Sequence, residues 1–166
     1  LSPIVKTEFN IEGNPVAKFI NLVMQAKPAQ VTLVPDAEDA ITSNAGWDTI
    51  KNKKFLQEVI QEFKDNGIRT SIFVDPDEKM IEGAAETGTD RIELYTEDFA
   101  VKFAKGDKSG VEPYKKCAEL AHQLGLGINA GHDLSLDNIK FFNEHVPHLD
   151  EVSIGHALIA EALYMG

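Results

Sequence analysis

The sequence predicts an α/β fold of the TIM-barrel type, a (β/α)8 barrel of which about six βα units are present. Short apolar segments rich in β-branched residues alternate with longer segments whose apolar residues recur at helical spacing. No hairpin signal joins two predicted strands, so each strand has to return through a helix and pair in parallel with the next one. Polar residues follow nearly every predicted strand, as expected where strand ends share one mouth.

The predicted strands are short, and each is followed by a turn or by a helix-start signal. Val31-Thr32-Leu33-Val34 is a typical case, because its residues are apolar or β-branched and the run stops at Pro35. The same pattern places strands at 5–9, 31–34, 70–74, 91–95, 126–131 and 151–154.

Helices are predicted between these strands from cap residues and from apolar residues three and four positions apart. Asn14-Pro15 fits an N-cap followed by proline at the first helical position, and Asp75-Pro76-Asp77-Glu78 comes close to a capping box. Asn66-Gly67 and Gly125 are helix-ending signals. Further helices are predicted at 96–105, at 113–124, around Leu136, Ile139 and Phe142, and at the C-terminus, with 106–110 as a mobile surface turn.

Two architectures accommodate six consecutive βα units, an open doubly wound sheet and a barrel. An open sheet concentrates its ligand contacts at one switch point, whereas the strand ends of a barrel converge on one mouth. We favour the barrel because the polar strand-end residues are spread over the whole chain, at Glu12, Asp36, Asp75, Glu93, Thr96, His132 and His156.

We expect residues 1–166 to form a single barrel domain that is incomplete. Six units cannot close a barrel of eight, and the sequence opens at a leucine rather than at a methionine. We therefore expect the first two βα units to be absent on the N-terminal side and a C-terminal tail to be missing as well.

Composition excludes several classes of function. The net charge of -11 disfavours nucleic acid and anionic membrane surfaces as partners, because both would be repelled. No apolar run approaches the roughly 20 residues that span a bilayer. Cys117 is the only cysteine, so no intrachain disulfide can form; we expect a packed core thiol and a cytoplasmic location.

Two carboxylates are the first candidates for chemistry. Glu12 and Glu93 each lie at a strand end beside apolar residues, which would remove water from the carboxylate and raise its pKa. The alternative for each is a helix cap or a surface salt bridge.

His132 lies between Gly131 and Asp133, where a strand ends and a helix begins. It could donate or accept a proton, ligate a metal, or simply cap the helix. No second histidine lies at metal-ligand spacing, and we expect exposed positions for the other helix-associated histidines, so a metal site is not predicted. Those histidines are His122, His145 and His148.

Gly155-His156 opens a helix after the last strand, where barrel enzymes commonly hold a phosphate on free N–H groups. Tight turning is the alternative explanation. Thr42, in the long connection that follows the second strand, could add a hydroxyl contact. On residue types alone, the sequence indicates a barrel enzyme that acts on a phosphorylated small molecule by proton transfer.

The chain resembles the pyridoxine 5'-phosphate synthase family, the barrel enzymes of the deoxyxylulose-phosphate-dependent route to vitamin B6. Two motifs carry most of the resemblance, Asn129-Ala130-Gly131-His132 and Ile154-Gly155-His156-Ala157, in this order and spacing. The other matching segments are Asn10-Ile11-Glu12, Leu33-Val34-Pro35, Ser71-Ile72-Phe73-Val74-Asp75 and Ile92-Glu93-Leu94.

The resemblance implies a condensation of 1-deoxyxylulose 5-phosphate with 3-amino-2-oxopropyl phosphate that releases inorganic phosphate and water, without metal or organic cofactor. It implies Glu12 as general base, Glu93 as the residue that stabilises developing positive charge or transition states, and His132 as proton donor. Large homo-oligomers, octamers in the family, are implied as well. Substrate contacts are implied for Thr42, Asp133, Gly155 and His156.

The chain departs from the family pattern in two places. Some members have glycine where this chain has Asp133, whose carboxylate would repel a phosphate unless it points away, for example to cap the helix through Ser135. The family's first two strands also bring a histidine base and cationic phosphate contacts that nothing in this chain matches.

Two rival hypotheses are a sugar-phosphate epimerase or isomerase and a non-catalytic domain held by oligomer contacts.

Overall fold

A computed structural model describes residues 4–36 and 44–166 of the chain. Its strands, in chain order, are β1 (Asn10–Gly13), β2 (Gln30–Leu33), β3 (Arg69–Val74), β4 (Arg91–Tyr95), β5 (Gly127–Gly131) and β6 (Leu149–Ser153). Its helices are α1 (Ala17–Ala26), α2 (Lys53–Asp65), α3 (Glu78–Thr87), α4 (Glu97–Ala104), α5 (Glu112–Gln123), α6 (Ile139–His145) and α7 (His156–Met165), with a 3-10 helix at Lys108–Val111 before α5.

The six strands form one parallel sheet in the order β1-β2-β3-β4-β5-β6, curled into a partial barrel. Every strand pairs with the one that precedes or follows it in sequence. A doubly wound sheet reverses its strand order at a switch point, and no such reversal occurs in this sheet. The predicted α/β barrel class is therefore confirmed, and the open alternative is wrong.

The two faces of the sheet are chemically different. Leu33, Ile72, Ile92 and Ile128 lie side by side in register and are fully buried in the apolar core between the sheet and the helices. The opposite, concave face carries polar side chains, including Gln30, Thr32, Ser71, Glu93 and Asn129, which are also buried. The core is thus a layer between sheet and helices, and polar groups fill the interior of the barrel.

A network of polar side chains occupies the concave face toward the start of the strands. Arg91 donates to the Asn129 amide oxygen at 2.8 Å and lies 3.4 Å from a Glu151 carboxylate oxygen. The Gln30 amide reaches the same Glu151 oxygen across the interior, at 3.5 Å. Hydrogen bonds between distant strands therefore brace the interior below the mouth.

The first βα unit differs from its prediction. The strand lies at Asn10–Gly13 rather than at 5–9, because these residues are the ones that pair with Gln30–Leu33. Asn14 does not cap α1; its amide donates to the Asp36 carbonyl instead, and Val16 precedes the helix without a side-chain cap. Glu12 consequently lies within the strand, one residue before its end.

Later elements follow the predictions more closely. Asp77 caps α3 by accepting the N–H groups of Lys79 and Met80, at 2.8 and 3.2 Å. Cys117 is buried in the core, as expected, and burial raises the pKa of its thiol to about 12. The segment predicted as a surface turn at 106–110 is exposed at 106–109, but its second half forms the 3-10 helix and Gly110 is buried against Lys102.

Helix α6 is shorter than predicted. It begins at Ile139, so Leu136 lies outside it and is 60% exposed. None of the helices at residues 4–36 and 44–166 combines the length and the hydrophobicity that a membrane span requires.

Candidate active site

The candidate residues belong to three parallel strands whose carboxyl ends open at one mouth. Glu93 lies in the middle of β4, two residues before its end, and not at the strand end that the sequence predicts. Glu12 comes from β1 and Glu93 from β4, while His132 follows the last residue of β5 directly. The charges of Glu12 and Glu93 act on each other, and so do those of Glu12 and His132. The structure therefore brings together the three residues that the sequence singled out as an acid–base group.

Glu93 is the most deeply buried acidic residue of the site, with 2% of its surface exposed. Burial, followed by the negative charge of Glu12, raises its pKa to about 8. The Ser153 hydroxyl donates to its carboxylate at 3.3 Å and opposes the shift only in part. At neutral pH this carboxyl therefore holds its proton in most molecules.

Gly131 allows the sheet to close around Glu93. A Cβ atom at this position would lie 2.4 Å from the Ser153 carbonyl oxygen and 2.7 Å from a Glu93 carboxylate oxygen. Any larger residue would have to displace backbone of β6 or the carboxylate itself. The lack of space for a Cβ atom therefore explains why glycine occupies this position of the Asn-Ala-Gly-His motif.

Glu12 lies at the open rim of the mouth, and its side chain is exposed. Partial loss of hydration in the mouth nevertheless raises its pKa, with His132 opposing the shift and Asp36 adding to it. The sequence-based expectation of a raised carboxylate pKa is confirmed for both Glu12 and Glu93. A carboxylate with a raised pKa is a stronger base than a free one.

His132 has an unusual backbone conformation, with φ at +82°. Its N–H donates to the Ser153 carbonyl at 2.9 Å, which fixes the left-handed turn against β6. Its ring lies edge-on to Tyr95, with the ring centroids 5.7 Å apart, and 6.4 Å from Phe73. Imidazole and aromatic rings therefore line one side of the mouth together.

Asp133 does not take the orientation considered for it. Its carboxylate lies 3.0 Å from His132 Nδ1, whereas the N–H of Ser135, which precedes α6, donates to the Asn138 side-chain oxygen at 2.9 Å. The idea that Asp133 caps the helix through Ser135 is thus wrong. The carboxylate is directed at the imidazole.

Gly155 and His156 form the start of α7, and both are exposed. The His156 ring centroid lies 6.4 Å from that of His132, so the helix start adjoins the acid–base group. The first N–H groups of α7 are available to an anion at this position. Thr42 lies outside the described residues.

Sequence reasoning missed three contributors to the site. Phe73 and Tyr95 form a small buried cluster with Val34, separate from the main core, and Ser153 contacts both Glu93 and His132. The alternation of side chains along a strand could have indicated Phe73 as a site residue. Phe73 and Glu93 pair in register and therefore share the inward face. Ser153 could be found only through its pairing with Gly131.

The other histidines are exposed, as predicted for His122, His145 and His148. Among residues 4–36 and 44–166, no three histidine, cysteine, aspartate or glutamate side chains converge as metal ligands. The chemistry available to the described site is that of two carboxyl groups with raised pKa values and an imidazole.

Similar solved structures share the barrel architecture at low sequence identity. The YdjI aldolase from Escherichia coli K12 superimposes with a TM-score of 0.65 at 12% identity, over 95% of this chain and 56% of the aldolase. D-psicose 3-epimerase superimposes with a TM-score of 0.57 at 13% identity, over 89% of this chain and 63% of the epimerase. These likenesses establish the fold.

Other proteins are far more similar to this chain in sequence. The chain is 72% identical to pyridoxine 5'-phosphate synthase of Christiangramia forsetii and 70% identical to that of Flavobacterium johnsoniae. Both alignments cover 100% of this chain and 70% of the relative. Residues 1–166 also match, in full, the family described as "Pyridoxal phosphate biosynthesis protein PdxJ". The chain therefore belongs to the PdxJ family of pyridoxal phosphate biosynthesis proteins.

Proposed function

We propose that this chain carries the acid–base centre of a pyridoxine 5'-phosphate synthase. The reaction would join 1-deoxyxylulose 5-phosphate to 3-amino-2-oxopropyl phosphate and release inorganic phosphate and water. One observation supports it above the others: Glu12, Glu93 and His132 share one mouth, and both carboxyl pKa values are raised there. Identity of 72% to a named synthase supports the same assignment.

The chemistry needs protons moved in both directions on one carbon framework. Condensing an amine with a ketone expels water, so a proton must reach the departing oxygen and another must leave the nitrogen. Ring closure then requires proton removal from carbon, elimination of one phosphate with cleavage of its C–O bond, and further loss of oxygen as water. Acids and bases with separated pKa values serve such a sequence.

Glu93 would respond to the charge of the intermediate. With a pKa of about 8 it is mostly neutral in the empty site at neutral pH. A cationic iminium beside it would favour the carboxylate, because an opposite charge stabilises the ionised form. The residue would thus give up its proton when positive charge develops and would then stabilise that charge.

Glu12 and His132 would transfer protons in opposite directions, one as a base and the other as an acid. Glu12, exposed at the rim with a raised pKa, would accept a proton from the substrate as general base. His132, held by Ser153 and walled by Tyr95, would donate a proton to a departing oxygen. The two residues lie close enough for their charges to interact, so one substrate could reach both.

Phosphate binding would use the start of α7. A Cβ atom added at Gly155 would meet no other atom within 4 Å, so the backbone there is open to a ligand, and His156 adjoins it. Thr42 would add a hydroxyl contact to the substrate. We also propose a homo-oligomer, an octamer by family resemblance, with no nucleic-acid or membrane partner and a cytoplasmic location.

The direct test supplies the full-length protein with both substrates and follows pyridoxine phosphate fluorescence together with released phosphate. We expect stoichiometric formation of both products, and loss of both in Glu12→Gln and His132→Asn. Turnover of a single sugar phosphate by epimerisation or isomerisation, with no product from the pair, would reject the proposal in favour of the rival barrel enzyme. Unchanged turnover in both variants would reject the assigned residues.

A further inference from the structure

We propose that Asp133 is a positioning residue for His132 and that the two side chains form a carboxylate–imidazole dyad. The catalytic part of this inference rests on the proposed function. It gives Asp133 a role different from a phosphate contact, because the carboxylate is already engaged by the imidazole.

The contact has the geometry of a hydrogen bond. Asp133 Oδ2 lies 3.0 Å from His132 Nδ1, and the two side chains are only 34% and 20% exposed. An ionised carboxylate can only accept hydrogen bonds, so the contact places the ring proton on Nδ1. Nε2 is then the nitrogen that exchanges a proton with the substrate.

Backbone hydrogen bonds hold both partners in place. The Thr96 hydroxyl donates to the Gly131 carbonyl and accepts the Asp133 N–H, the latter at 3.2 Å. The Asn138 amide donates to the Asp133 carbonyl, also at 3.2 Å. Residues on each side of His132 are thus anchored to neighbouring elements, and the dyad does not depend on a free loop.

The surrounding aromatic rings limit the orientations available to the imidazole. Tyr95 meets it edge-on, and the Tyr95 hydroxyl is itself fixed by donating to Glu97 at 2.7 Å. Phe73 and His156 also lie beside it, each with its ring centroid 6.4 Å from that of His132. In the space that these rings leave, the contact with Asp133 keeps Nδ1 turned toward the carboxylate.

The dyad and a phosphate contact predict different effects of removing the charge. A positioning carboxylate sets the tautomer of the imidazole, so its loss should lower kcat with little change in KM. A carboxylate beside a bound phosphate repels it, so its loss should lower KM and leave kcat unchanged.

The test uses full-length protein labelled with ¹⁵N-histidine, as wild type, Asp133→Ala and Asp133→Asn. His132→Asn assigns the His132 signals by removing them. We expect the neutral His132 of the wild type to be protonated on Nδ1, and Asp133→Ala to shift the proton toward Nε2. In the activity assay we expect kcat of Asp133→Asn to fall about 10- to 100-fold. This is a part of the rate that a general acid contributes, because His132 itself is still present.

Asp137→Asn is the matched control, since Asp137 is an exposed carboxylate four residues away on the same segment. It should leave both the tautomer and kcat unchanged. An identical tautomer in wild type and Asp133→Ala, or a change confined to KM, would overturn the dyad. If the wild type failed to convert the two substrates, the proposed function would fall, while the tautomer comparison would still decide for or against the dyad.

Discussion

At the scale of single residues, the site contains two residues in energetically unfavourable states, which the surrounding structure maintains. Glu93 is a carboxyl group buried beside another carboxylate, and His132 is a non-glycine residue with φ at +82°. Each costs stability where it stands, since burial disfavours charge and left-handed backbone disfavours most side chains. Such costs are typical of residues retained for chemistry.

Replacement of Glu93 by glutamine should stabilise the protein in a pH-dependent way. The folded-state pKa, about 8, lies above the ordinary glutamate value of 4.5, so the folded state binds the extra proton between these values. Glu93 therefore lowers the free energy of unfolding progressively as pH rises from 4.5 to 8. Glu93→Gln should abolish this loss, with a gain on the order of a few kcal/mol at pH 8.

Urea unfolding at several pH values measures this effect. The variant and the wild type should have similar stability near pH 4.5 and should diverge toward pH 8. A difference that is constant with pH would show that Glu93 is not buried in its neutral form.

The left-handed backbone at His132 predicts that asparagine is its best neutral replacement. Asparagine tolerates positive φ better than alanine does, so His132→Asn should be more stable than His132→Ala by about 1 kcal/mol. Both should lose turnover by about 10²- to 10⁴-fold, as expected for loss of a general acid. Equal unfolding free energies for the two variants would contradict the strained backbone as a factor.

At the scale of elements, strand pairing decides where each side chain points. The end of α2 and the start of α3 could be predicted from the sequence because Asn66-Gly67 and the cap residue Asp77 are local signals. The bounds of β1 could not, because its pairing with β2, and not its own composition, selects residues 10–13. Likewise the Asp133–His132 contact depends on a backbone turn that β6 imposes through Ser153.

The close approach of β5 and β6 makes Gly131 the least replaceable of the site glycines. Gly131→Ala would place its Cβ 2.4 Å from the Ser153 carbonyl oxygen, so we expect a loss of about 1–3 kcal/mol in unfolding free energy. Gly155→Ala is the matched control, because no atom lies within 4 Å of its added Cβ and its φ is −102°. It should change stability by less than about 0.5 kcal/mol.

Thermal or urea unfolding of both glycine variants makes the comparison. Equal losses in the two would contradict the close packing of β5 on β6. If Gly155→Ala raised the KM for the phosphorylated amine while keeping its stability, the proposed phosphate contact would be supported at the same time.

At the scale of the whole molecule, the parallel sheet explains why distant residues act together. Glu12, Glu93 and His132 are far apart in the sequence, yet all three belong to the same curled sheet. Glu12 and Glu93 lie within the last three residues of their strands, and His132 directly follows β5. Parallel order places all carboxyl ends on one side, and curling turns that side into a mouth. The family resemblance could be recognised from sequence because these strand-end residues stand in short, specific motifs.

The central claim is that the sheet gathers these groups into one electrostatically coupled site, and titration of Glu93 tests it most directly. The measurement follows the Glu93 carboxyl carbon by NMR in the wild type and in Glu12→Gln. We predict a pKa of about 8 in the wild type and a lower value in Glu12→Gln, still above 4.5 because burial is the larger cause. A wild-type pKa near 4.5, or no response to Glu12→Gln, would contradict the claim.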